Sequence, residues 1–101
     1  MDKSAFQADT RYTITRRESS GTLRPANIYV YRLYEAFMIA RLTEGDGFLY
    51  KIPYGDIVKI VSVQPVARQD RFAIPAAVLD EKNWQDRTVM ARYSTAPHMG
   101  K

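Results

Sequence analysis

The sequence predicts a mainly β protein: a small five- to six-stranded, barrel-like antiparallel sheet with one short helix before the last strand. Three observations carry this expectation. Residues 11–16 and 88–93 alternate between apolar and polar positions, residues 57–63 are almost continuous in β-branched side chains, and two β-like runs flank Gly45, Asp46 and Gly47. Period-two alternation suits a half-buried pleated strand, and glycines tolerant of positive φ suit the turn between two of them. Short strands in this number build small barrels of the SH3-like, Sm-like or OB kind.

Taken in order, residues 1–9 are polar and mixed and read as a loose lead-in. In residues 11–16, Tyr12 and Ile14 share one face and Thr13 and Thr15 the other, the pattern of a strand with one side in a core. Residues 17–27 read as an exposed loop broken by Gly21 and Pro25. Residues 28–34 are a strand by composition, with Tyr29, Tyr31 and Leu33 on one face and Arg32 and Tyr34 on the other.

Residues 33–43 admit two readings. On a helix, Leu33, Tyr34, Phe37, Met38 and Leu42 form one stripe and Gly45 caps its end, giving an α+β fold. On a strand, Phe37 and Ile39 oppose Met38, Ala40 and Leu42. The strand is preferred, because a hairpin through residues 44–47 explains both flanks together.

Residues 48–52 then form a strand and Pro53, Tyr54, Gly55 and Asp56 a turn. Residues 57–63 are the strongest strand and are expected at the centre, covered on both faces. Pro75 opens a short helix over 76–82, where its missing N–H matters least. Residues 83–86 turn the chain into a last strand over 88–93, and residues 95–101 form a loose end.

The chain has 101 residues, 46% hydrophobic and 26% charged, which is enough for a single domain with one core and not for two. No apolar run approaches the roughly 18 residues of a membrane-spanning helix, and the start lacks the apolar core of a secretory signal. There are no cysteines, so disulfides and sulfur-based zinc sites are excluded, and a cytoplasmic setting is expected. Residues 1–34 hold six Lys/Arg against three Asp/Glu, residues 35–64 three against four, and residues 65–101 six against four. That distribution permits an anionic partner without the concentrated stripe of a dedicated nucleic-acid binder.

Chemistry is sparse. The single histidine, His98, stands in the tail, so histidine acid–base pairs and multi-histidine metal sites are excluded within one chain. Glu44, Asp46 and Asp56 sit on turns, where carboxylates cap backbone N–H groups or stay in water. No catalytic residue, metal ligand or cofactor is assigned.

The unusual feature is aromatic enrichment around residue 30. Tyr29, Tyr31, Arg32 and Tyr34 are the candidate interaction residues, because amphipathic rings beyond what a small core needs suit an interface. The expected function is therefore a non-catalytic interaction module, self-associating through its tyrosine-rich strands or binding another protein. Single-stranded nucleic-acid binding is the alternative, using Arg16, Arg17, Arg24 and Arg32 beside the tyrosines. An enzyme completed by a partner chain is the least favoured reading.

Overall fold

The computed structural model describes residues 1–43, 47–71, 74, 76–85 and 88–90. Its strands are β1 (Thr10–Arg17), β2 (Leu23–Leu33), β3 (Phe37–Leu42), β4 (Leu49–Pro53), β5 (Ile57–Pro65) and β6 (Val89–Met90). They form one antiparallel sheet in the order β5-β1-β2-β3-β4-β6, with Val89 and Met90 the described residues of β6. The mainly β expectation holds, and the helical reading of residues 33–43 is overturned: β3 pairs with β2 on one side and β4 on the other. Residues 44–46 lie outside the described residues, yet Arg41 pairs with Leu49 across them, as a hairpin requires.

The chain path forces the sheet to curl. In a flat sheet β4 and β5 would stand four strand spacings apart, about 19 Å. The four backbone steps from Pro53 to Ile57 span at most about 14 Å, and they are further shortened by the 3-10 turn Tyr54–Asp56. Curling brings Ile52 of β4 and Ile57 of β5 into one apolar cluster with Tyr12, Ile14, Ile28, Val30, Met38 and Ala40. No pairing joins β4 to β5 among the described residues, so the sheet is strongly curved but open, and barrel-like describes it only loosely.

The other face is covered over half its width. Tyr29, Tyr31, Phe37, Ile39 and Leu49 from β2, β3 and β4 lie beneath Val78, Leu79 and Trp84. These covering residues come from two 3-10 turns, Ala76–Leu79 and Glu81–Trp84, and not from the single helix expected over 76–82. Asp80 divides them: its backbone is extended (φ −64, ψ 127) and its carboxylate accepts from the Lys82 N–H, restarting the helical hydrogen bonding. Pro75, expected to open the helix, lies outside the described residues, as do residues 91–93 of the last strand and the tail.

Three further expectations change. The loop expected over 17–27 is mostly strand, with a tight turn between Glu18 and Thr22. Pro25 is tolerated because β3 pairs with β2 only from Ile28 onward, so among the described residues β1 is the one strand paired with β2 at residue 25. The lead-in is anchored: Phe6 is buried, edge-on to Tyr12 (5.1 Å between ring centroids) and stacked on Tyr54 (6.0 Å). And β5, expected at the centre, is an edge strand that among the described residues pairs only with β1. Its β-branched composition records a fit to a pleated surface and carries no information about position in the sheet.

Candidate interaction surfaces

The tyrosine-rich segment is shaped by a bulge. Val30 pairs with Ala40 and Arg32 with Ile39, leaving Tyr31 as the extra residue on β2. The insertion resets the alternation. Tyr29 and Tyr31 both pack under the Trp84 layer, whereas Leu33, expected beside them, packs with the opposite cluster.

Tyr29 is 0% exposed and Tyr31 7%, so these two candidate residues are core and present no ring to solvent. Their rings touch at 5.0 Å, and the Tyr29 hydroxyl donates to Asp9 Oδ1 at 2.7 Å. Burial raises the Tyr31 phenol above its ordinary range, opposed by the nearby Arg41 charge. Tyr34 is half-buried against Phe37, with its ring 5.1 Å away. Arg32 alone of the four is exposed.

The four candidate arginines do not share a surface either. Arg16 lies opposite Arg24 at one end of the β1–β2 ladder, and Arg32 lies at the other end. Arg24 is engaged with Glu18 through Nε–Oε1 at 2.8 Å. Arg16 is half-buried, and its Nε finds no hydrogen-bond partner among the described residues. Of these four arginines, only Arg17 and Arg32 are exposed with no ion-pair partner among the described residues.

What the sheet does leave open is its β5 side. The β5 edge carries Val58 (40% exposed), Val61 (56%) and Val63 (55%). Val58 and Val61 are bulged positions, since the β1 register jumps from Ser62 to Ile60 and from Lys59 to Ile57. The neighbouring half-face, not reached by the 3-10 layer, is polar. Cross-strand pairing sets Arg11 beside Gln64, Thr13 beside Ser62 and Thr15 beside Lys59, with Asn27 across from Thr13 on β2. A concavity of about 210 Å³ opens here between Arg11, Thr13, Asn27, Thr43, Ser62 and Gln64.

Sequence reasoning passed over this half-face, although its signal was present. Extending the Thr13 and Thr15 face by one position in each direction gives Arg11 and Arg17. No family model, curated protein or solved structure matches the chain. The fold and these surfaces define the class: a curved, open β-sheet domain with one flank left uncovered by the described residues. Among the described residues no helix is long and apolar enough to cross a membrane.

Proposed function

We propose that the protein is a non-catalytic interaction module that pairs with a second copy of itself along the β5 edge. The observation that supports this is a nine-residue edge strand showing three exposed valines. An unpaired edge offers backbone donors and acceptors in a row, a template for another strand. Two identical edges meeting antiparallel close on a two-fold axis and complete each other. Lys59 is the only charged residue on β5, so antiparallel pairing centred away from residue 59 sets no like charges opposite one another.

The same strand carries restraints on that contact. Two bulges and Pro65 shorten its regular stretch, which keeps the contact below the roughly 1,200 Å² of a stable interface. Association is accordingly weak and concentration-dependent. Composition supports the non-catalytic part of the reading, with His98 the only histidine and no cysteine, and a cytoplasmic setting belongs to the same reading.

Sedimentation velocity from micromolar to submillimolar protein tests the proposal. The weight-average coefficient is expected to rise with concentration and to become flat in Val61→Lys, which places a charge on the edge. Because Val61 is exposed, that substitution is expected to change stability by no more than about 0.5 kcal/mol. A wild-type chain that stays monomeric throughout overturns the reading.

A further inference from the structure

The uncovered half-face carries an inference that goes beyond edge pairing and does not need it. Alternation along β1, which has no bulge, puts Arg11, Thr13, Thr15 and Arg17 on one side of the sheet. Their partners on β5 add Gln64, Ser62 and Lys59, and β2 adds Asn27. Arg11, Arg17 and Lys59 are all exposed. None has an ion-pair partner among the described residues, where Arg24 with Glu18 is the only pair. No carboxylate occupies any of these strand positions; Glu18 and Asp56 lie beyond the strand ends near Arg17, and Asp70 and Asp9, the latter accepting from the Tyr29 hydroxyl, lie at the Arg11 end.

Between the cations the surface consists of hydroxyls and amides. Thr13 Oγ1 donates to Asn27 Oδ1 at 2.6 Å, which uses the Asn27 oxygen and leaves its NH₂ as the group to offer a ligand. Arg11 and Arg17 stand six strand positions apart, about 20 Å, and Lys59 lies one strand spacing away beside Thr15. This is a single row of positive charge along one strand direction, filled in with hydrogen-bond donors. Among the described residues it holds no exposed aromatic ring, since Tyr29, the aromatic at this face, is buried.

From this we infer that the β5-β1-β2 half-face binds the phosphate backbone of a single nucleic-acid strand, through Arg11, Arg17 and Lys59, without reading bases. A row one strand wide matches one backbone, and the lack of exposed rings removes base stacking as a source of affinity. Phosphate contacts position a strand without specifying its sequence. Three neutralised phosphates give a slope of roughly −2 for log K against log salt on a single strand, so affinity falls about 20-fold between 50 and 200 mM salt.

The test is fluorescence anisotropy of a labelled 20-mer of deoxythymidine at 20 mM salt, compared with a 20-base-pair duplex. Two double variants remove equal charge. Arg11→Gln with Lys59→Gln strips the half-face; Arg24→Gln with Arg32→Gln takes exposed arginines from elsewhere. The expected result is binding with the stated salt slope, tighter for the single strand, weakened roughly tenfold or more by the first double variant and little by the second. Circular dichroism confirms that both variants are folded. No binding at low salt, equal weakening by the two variants, or preference for the duplex each overturns the inference.

Discussion

Tyr54 shows how a residue that looks like surface chemistry becomes structure. Its ring stacks on Phe6 and its hydroxyl donates to the Tyr34 carbonyl at 2.6 Å, so both its apolar body and its polar tip are satisfied inside the molecule. The Tyr12 hydroxyl accepts from the Gln7 N–H at 2.7 Å, and Tyr29 is held by Asp9, so three tyrosines serve the core in the same way. This is why the candidate tyrosines were legible as a group and not as a site: composition counts amphipathic rings, but which face they meet depends on the Tyr31 bulge, and nothing local in the sequence announces it. Burial pushes the Tyr54 phenol up to about 12 from an ordinary 10.0. The neutral phenol is the folded form, so its contribution to stability is complete below pH 10. It is lost as pH rises through about 12, because the unfolded chain releases this proton first. Urea midpoints of wild type and Tyr54→Phe measured from pH 8 to 11.5 are expected to differ by about 1 kcal/mol at pH 8, from the lost hydrogen bond. That gap should narrow at the alkaline end, and a gap independent of pH contradicts the assignment.

At the scale of elements, the pairing of β3 with β4 was readable because turn-forming residue types stand between two strand-like runs. The position of β5 was not, since a run of valine and isoleucine is written the same way for an edge as for a centre. Pro25 misled for a related reason: a proline excludes a strand with two neighbours, and only the register shows that, among the described residues, β2 has one neighbour there. Two glycines separate conformation from space. Gly21 in the β1–β2 turn has φ +91, whereas Gly55 in the 3-10 turn lies outside the positive-φ region, and an added Cβ at either meets nothing within 4 Å. Gly21→Ala is therefore expected to lose about 1–2 kcal/mol from backbone strain alone. Gly55→Ala is expected to gain about 0.4–1 kcal/mol by restricting the unfolded chain. Thermal denaturation of the two variants decides the matter, and a loss at Gly55 as large as that at Gly21 contradicts the backbone account.

At the scale of the whole molecule, the question is whether the sheet and the 3-10 layer over half of it unfold as one unit. They share the burial of Tyr29, Ile39 and Leu49 against Val78, Leu79 and Trp84. They are also tied by Lys51 of β4, whose ammonium donates to the Trp84 carbonyl at 2.7 Å and lies 4.7 Å from the Phe37 ring centre. Trp84 is fully buried, and its indole N–H donates to the Val78 carbonyl at 2.8 Å within the layer. As the only tryptophan, it reports the layer by fluorescence while far-ultraviolet circular dichroism reports the strands. Because apolar burial, and not the lysine alone, joins the two parts, the transitions are expected to coincide in wild type. In Lys51→Met they should move together to lower denaturant by about 1.5–3 kcal/mol, the worth of a hydrogen bond from a charged donor. A fluorescence transition that runs ahead of the circular dichroism would mean that the layer detaches first. The tyrosine face of β2 and β3 would then be exposed in a partly unfolded state, as a second apolar surface beside the β5 edge.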